Sequence, residues 1–214
     1  MAACDTTVGS RPILGEGQDS TSRAVPGQGE LDRVREGCRV ADDDIRWLIA
    51  LQLDVGARIG EVAGLRLQDI HVSGSQVPHV VIASHPARRL KTPVSARKVP
   101  LVGAALWAAQ RIYATASPGQ ALAFPRYLRG SSISGDAASA TVNKWLALKG
   151  FSCTSHGFRH TMKDRLRNAN VPKPLQDEIL GHSRSSGGED YGEGTMLERL
   201  QEALERSLHT ARGG

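Results

Sequence analysis

The sequence has few aromatic residues, few cysteines and no long apolar run. Phe, Trp and Tyr together make up 4% of 214 residues, so recognition of nucleic acid by stacking bases on an aromatic platform is not expected. Cys4, Cys38 and Cys153 stand far apart without a CxxC pair. Their spacing argues against a disulfide framework and against a zinc site, and it favours reduced thiols.

No apolar stretch reaches the length of a membrane span, and the N-terminus lacks the charged and apolar regions of a signal peptide. We therefore expect a soluble, cytoplasmic protein without a membrane partner. The 27 Lys and Arg residues outnumber the 22 Asp and Glu residues, which gives a formal net charge of +5. This excess of positive charge suits a polyanionic partner.

The chain is long enough for one sizeable core but not for two full domains. Residues 1–38 are rich in Gly, Ser, Thr, Pro and Gln without hydrophobic periodicity, which predicts a disordered tail or linker remnant. A single domain is expected over residues 39–210. Order should begin near Ala41, because carboxylates at 42–44 suit a helix N-terminus and apolar residues follow at helical spacing up to a break at Gly56.

The remaining pattern is that of a mainly α domain with a small antiparallel β-sheet. Helical spacing of apolar residues predicts helices over residues 102–116, 137–148, 155–170, about 172–181 and 196–208. Short β-prone runs over residues 70–72, 77–83 and 99–101 are separated by Gly, Ser and Pro and predict the sheet. The last helix carries a narrow apolar stripe made of Leu197, Leu200, Leu204 and Leu208. That stripe suits docking on its own domain or on a neighbouring protomer.

The stretch from Ser155 to Tyr191 carries most of the candidate chemistry. His156 and Arg159 are three residues apart and share one face of the predicted helix. His182 directly follows Gly181, the expected helix end. Arg and His donors gathered in this way suit a phosphate oxygen. A His three residues before an Arg, taken alone, is more typical of a solvated helix face.

Two other segments carry basic residues with two possible interpretations. Arg58 opens a short predicted helix with Glu61 one turn later, so the two form either a surface pair or a cleft arginine with its support. A basic turn between the second and third strands holds Arg88, Arg89, Lys91, Arg97 and Lys98. Arg88, Arg89, Arg97 and Lys98 suit loose phosphate contacts or solvated loop charges. Lys91 suits a closer role if the turn folds over a bound backbone.

Together these segments resemble the catalytic domain of the tyrosine recombinases, the phage integrase family. The resemblance runs from about Asp42 to Leu208, with the motifs in family order. GARIGEVAGLRLQDI resembles the first arginine motif, LKTPVSARKVPL the strand and turn with the catalytic lysine, SHGFRHT the second arginine motif, and LGHS the last histidine motif. By this resemblance the catalytic residues are Arg58, Lys91, His156, Arg159, His182 and the nucleophile Tyr191, with Glu61 as structural support.

The resemblance implies cleavage and rejoining of double-stranded DNA through a covalent 3′-phosphotyrosine, without a metal or another cofactor. It also implies recombination within a homotetramer that exchanges the C-terminal helix. Two departures are visible. The N-terminal residues are too few for the separate domain with which the family clasps DNA, and an acidic Ser-Gly segment at 185–190 precedes Tyr191. A topoisomerase-like relaxing activity and an inactive DNA-binding remnant are therefore kept as alternatives.

Overall fold

A computed structural model describes residues 26–92, 95–182 and 193–210 of the chain. Its helices, in chain order, are α1 (Gln28–Ala41), α2 (Asp44–Val55), α3 (Ile59–Ala63), α4 (Gly103–Thr115), α5 (Gly135–Leu148), α6 (Ser155–Asn168), α7 (Lys173–Leu180) and α8 (Glu193–Thr210). Its strands are β1 (Ile70–His71), β2 (His79–Ile82), β3 (Arg97–Pro100), β4 (Leu128–Arg129) and β5 (Ser132–Ile133). In the described ranges no helix is both long and apolar enough to cross a bilayer.

Helix α1 corrects the prediction of a disordered segment up to residue 38. Leu31, Val34 and Cys38 on this helix are fully buried, and α1 packs against α2. These residues recur at helical spacing, but the Gly-rich and polar composition of the whole tail concealed the pattern. Residues 1–25 lie outside the described ranges.

Helix α2 lies at the centre of the core, against α1, α3, α4, α5 and α6. It begins as predicted, because the Asp43 side chain accepts a hydrogen bond from Arg46 N at 3.1 Å and caps the first turn. It ends at Gly56, whose φ of 67° suits glycine. Residues adjacent to α2 in the sequence, Asp43 and Gly56, thus determine where this central helix begins and ends.

A buried carboxylate, Asp54, joins four helices. Its oxygens accept hydrogen bonds from Arg35 on α1 at 2.8 Å, from Arg165 on α6 at 3.4 Å and from Ala104 N on α4 at 2.9 Å. Burial by itself would raise the pKa of Asp54, but Arg35 and Arg165 outweigh it and hold the pKa below its ordinary value. The ion cluster therefore fixes α6 relative to the centre of the core.

The predicted antiparallel sheet is confirmed, with strand order β1-β2-β3 and Ile82 opposite Arg97 where the β2–β3 hairpin opens. A second small hairpin, formed by β4 and β5, was not predicted. The helix predicted over residues 196–208 is α8, which packs against α6, α7 and β3 of its own chain. Leu200 and Leu204 of the apolar stripe are fully buried there.

Candidate active site

A cleft of about 410 Å³ opens where the start of α6, the residues leading into α3, the β2–β3 hairpin and the end of α7 meet. Its walls are formed by Gln52, Arg58, Ile59, Lys91, Ser139, Ser155, His156, Arg159 and His182. Five of the six predicted catalytic residues therefore converge on one cavity, although they are spread over 125 residues of sequence, from position 58 to position 182. Tyr191 lies outside the described residues.

Arg58 is held at the cleft by Glu61. Arg58 is the residue before the first turn of α3, and its backbone N–H and its Nη1 donate to the two carboxylate oxygens of Glu61 at 3.0 and 2.9 Å. Glu61 is buried while the Arg58 side chain is about one-third exposed. This arrangement favours the interpretation of Arg58 as a cleft arginine with its support over that of a surface pair.

Arg97 is buried beneath the cleft, which corrects its assignment to DNA binding. Its Nη2 donates to Glu61 Oε2 at 3.0 Å, its Nε to the Ile179 carbonyl at 2.9 Å and its Nη1 to the Ser95 carbonyl at 2.8 Å. All three nitrogens are thus occupied by protein acceptors. Burial alone would raise the pKa of Glu61, but Arg97 outweighs it, with help from Arg58, and keeps that pKa below its ordinary value.

Arg88 is also buried, and its assignment to DNA binding is wrong for the same reason. Its Nη1 donates to the Glu61 carbonyl at 2.8 Å and its Nε to the Ala83 carbonyl at 3.0 Å. Because no exposed guanidinium nitrogen is offered to a phosphate, Arg88 fastens the hairpin to α3 instead. Hydrophobic periodicity could not predict the burial of Arg88, because this residue lies in a loop and not in a helix or strand.

The remaining basic residues of the hairpin stand closer to solvent. Arg89 and Lys91 are exposed and Lys98 is half-buried. Lys91 alone among them lines the cleft. Arg89 and Lys98 remain predicted phosphate contacts.

Arg159 is positioned from the second turn of α6 by backbone carbonyls. Its Nη1 donates to the Gly56 carbonyl at 3.0 Å and its Nη2 to the Leu180 carbonyl at 2.5 Å. Burial, together with the nearby positive charge of Arg58, lowers the pKa of Arg159 to about 10. The side chain therefore stays charged at neutral pH, and its proximity to Arg58 is favourable chiefly when an anion binds between them.

His182 lies at the end of α7, with each ring nitrogen engaged. Its Nε2 is 3.1 Å from Arg159 Nη2 and its Nδ1 is 3.3 Å from Asp177 Oδ1. Because a guanidinium only donates, Nε2 is the acceptor and the proton sits on Nδ1, facing Asp177. Burial lowers the pKa of His182, Arg159 lowers it further, and Asp177 opposes both.

His156 is exposed in the first turn of α6, and its Nε2 lies 3.0 Å from Nε2 of His160. Gln52, a buried residue that no sequence motif marked, donates from Nε2 to the Ser155 carbonyl at 3.0 Å and thereby holds this turn. Its Oε1 is buried at the cleft wall and has no hydrogen-bond partner among the described residues. Its position on the apolar helix α2 gave no indication of this role.

A mainly helical domain with a small antiparallel sheet is the architecture that the resemblance to tyrosine recombinases predicts. The model of the phage integrase family matches residues 31–195. The chain therefore belongs to the phage integrase family. No curated protein matches the sequence.

Solved structures share the fold at low sequence identity. The integrase from mycobacterium phage Brujita is 18% identical with a TM-score of 0.62, covering 92% of this chain and 61% of its own. XerA recombinase is 15% identical with a TM-score of 0.60, covering 94% and 67%. The Tn1549 transposon integrase, solved in complex with transposon right end DNA, is 19% identical with a TM-score of 0.57, covering 88% and 62%. This chain thus spans about three-fifths of the solved phage Brujita and Tn1549 integrase chains.

Proposed function

We propose that this chain is the catalytic part of a site-specific DNA recombinase or integrase that uses Tyr191 as its nucleophile. The observation that carries the proposal is the convergence of Arg58, Lys91, His156, Arg159 and His182 on one cleft. The Tn1549 integrase, which shares the fold, was solved with DNA bound. That likeness supports double-stranded DNA as the partner.

In the proposed reaction the Tyr191 oxygen attacks a DNA phosphorus and the bond from phosphorus to the 5′ oxygen breaks. A 3′-phosphotyrosine and a free 5′-hydroxyl result, so the phosphodiester bond energy is retained for rejoining. The ordinary pKa of a tyrosine is about 10, so it attacks slowly at neutral pH without help. His156 takes the tyrosine proton, and its exposed position at the cleft leaves room for a second residue to approach.

Charge that develops on the non-bridging phosphate oxygens is stabilised by Arg58 and Arg159. Both guanidinium groups are fixed by protein acceptors before DNA arrives, which removes part of the cost of ordering them. Lys91 protonates the departing 5′ oxygen. We propose that these cations serve in place of a metal ion.

The role of His182 depends on its tautomer. With the proton on Nδ1, Nε2 receives a hydrogen bond from Arg159 and orients that guanidinium. To donate a hydrogen bond to a phosphate oxygen, His182 must gain a proton on Nε2 when DNA binds. Phosphate charge near the ring favours that protonation.

The nucleophile is tested with a pool of nicked duplexes of randomised sequence, in which the cleaved fragment diffuses away and covalent product accumulates. The parent chain and Tyr113→Phe should form a protein–DNA adduct on a denaturing gel, while Tyr191→Phe should not. Tyr113 is a matched control because it is 45% exposed and does not line the cleft. DNA binding without any adduct would overturn the proposal in favour of a DNA-binding remnant.

The general acid is tested with a substrate that carries sulfur at the bridging 5′ position. A thiol has a pKa of about 8.5 and leaves without protonation, whereas an alcohol does not. Lys91→Ala should therefore regain cleavage on this substrate, while Arg159→Ala should remain slow. Equal defects of Lys91→Ala on both substrates would remove Lys91 from the acid role.

We further propose that two DNA sites are recombined within a homotetramer, in which α8 moves from its own chain to a neighbour. Its apolar stripe is the surface that would dock. Light scattering of the trapped adduct should then give the mass of a tetramer on two duplexes. Trapped adducts of monomeric mass, together with relaxation of supercoiled plasmid by the free chain without joining of two sites, would favour the topoisomerase-like alternative.

A further inference from the structure

Two histidines on the same face of α6 lie within hydrogen-bonding distance of each other. His156 and His160 are one helical turn apart and both are exposed. Their Nε2 atoms are 3.0 Å apart, with ring centroids at 4.7 Å and ring planes at 77°. A hydrogen bond of this kind needs one ring to hold the proton and the other to offer its lone pair.

The same spacing suits a metal ion in place of the shared proton. Two histidines at positions i and i+4 of a helix are the pair that supplies zinc ligands in helical metal sites. Two nitrogens bound to one ion at about 2.0–2.1 Å lie about 2.9–3.4 Å apart, for bond angles between about 90° and 109°. The observed separation of 3.0 Å falls in that interval.

We propose that His156 and His160 form a binding site for a divalent transition metal ion of the zinc class, and that its occupancy inhibits DNA cleavage. The inhibition rests on the proposed function, in which His156 receives the tyrosine proton, and it assigns that proton to the Nε2 lone pair. A metal ion bound to Nε2 occupies that lone pair. Imidazole nitrogen selects zinc, nickel and copper, whereas magnesium prefers oxygen.

Among the described residues the site has two protein ligands, His156 and His160, and water can fill the remaining coordination positions. Across the described ranges no three His, Cys, Asp or Glu side chains are grouped to hold a metal. Asp164 lies one further turn along α6 but pairs with Arg167 at 3.7 Å. The arrangement is therefore that of an exchangeable ion and differs from the closed four-ligand sites of structural zinc.

The charge around the pair sets where the ion sits. Arg58, Lys91 and Arg159 make the cleft positive and disfavour a cation inside it. His160 does not line the cleft, so the pair faces the rim, where solvent screens these charges. The ion thus binds at the edge of the cleft while it still coordinates Nε2 of His156.

Metal binding is tested first, without reference to activity. The full chain in a Cys4→Ser background is titrated with zinc chloride by calorimetry, beside His160→Gln and His71→Ala. Glutamine at position 160 keeps a hydrogen-bonding group near His156 but is a poor zinc ligand. His71→Ala is the control, because His71 belongs to another close histidine pair, in which it stacks on His79 with the ring planes at 17°. His71→Ala should bind zinc like the parent, and His160→Gln should lose binding. Unchanged zinc binding by His160→Gln would overturn the site.

Inhibition is tested next in the adduct assay, with each variant compared with its own rate in EDTA. Zinc should suppress adduct formation by the parent and leave His160→Gln unaffected, and magnesium at the same concentration should suppress neither. Zinc that binds without slowing the parent would overturn the inhibitory role. A parent that makes no adduct even in EDTA would overturn the proposed function, and the zinc titration would still decide the metal site.

Discussion

The carboxylate of Glu61 lies 3.0 Å from Nη2 of Arg97, with both side chains buried beneath the cleft. Glu61 also accepts a hydrogen bond from Arg58 through its other carboxylate oxygen, Oε1, so the pair joins the β2–β3 hairpin to Arg58. Arg97 in turn donates to the Ile179 carbonyl, which joins the hairpin to the end of α7. One buried guanidinium thus connects three elements that carry cleft residues. Four predictions follow from the surroundings of this pair and of the nearby end of α7.

Replacing Arg97 by methionine should lower the free energy of unfolding by about 3 kcal/mol, because Glu61 loses a buried partner and two carbonyls lose their donor. Urea unfolding measures the change. Arg89→Ala is the matched control, since Arg89 is an exposed arginine of the same hairpin. That control should change stability by less than about 0.5 kcal/mol and weaken DNA binding with a smaller salt dependence. Similar stability losses in both variants would contradict the buried role of Arg97.

Gly181→Ala should destabilise the chain more than Gly150→Ala. Both glycines have positive φ, 64° and 72°, so both variants suffer the backbone strain of about 1 kcal/mol. A Cβ at position 181 would also lie 2.5 Å from Arg97 Nη1, whereas one at position 150 meets nothing within 4 Å. The difference between the two unfolding midpoints in urea therefore isolates the contact with Arg97. Equal midpoints would mean that Arg97 moves aside without cost.

The free energy of unfolding should fall as the pH is lowered, in part because Glu61 becomes protonated. Its folded pKa lies below the ordinary 4.5, so the unfolded chain binds a proton first as the pH falls. The stabilisation is fully present above about pH 4.5 and is lost as the pH falls through the folded pKa. The melting temperature of Glu61→Gln should fall less steeply with decreasing pH than that of the parent across this range. Parallel curves for the two proteins would exclude Glu61 as a contributor.

His182 should titrate below the ordinary 6.5 of histidine, because burial and Arg159 both disfavour its charged form. Nitrogen-detected NMR of the ring should show the proton on Nδ1 in the neutral state, opposite Asp177. Asp177→Asn removes the negative charge that favours protonation and should lower the pKa of His182 further. A proton found on Nε2 would contradict the hydrogen bond from Arg159.

The sequence predicted the fold through local signals. Asp43 and Gly56 delimit α2, apolar spacing marks α4 to α8, and the three β-prone runs form the sheet. The exceptions are the β4–β5 hairpin and α1, where Leu31, Val34 and Cys38 recur at helical spacing within a polar tail. Composition averaged over the whole tail hid a pattern of only three buried apolar residues.

Sequence motifs selected five of the nine residues that line the cleft but did not distinguish exposed from buried arginines. Arg88, Arg89 and Arg97 share one basic turn, and charge alone assigns all three to DNA. Only the tertiary structure turns Arg88 and Arg97 inward, since their acceptors at Glu61 and Ile179 come from distant parts of the chain. Local periodicity and residue type therefore determined the elements and the candidate chemistry, while packing between distant segments decided which charges face solvent and which hold the site together.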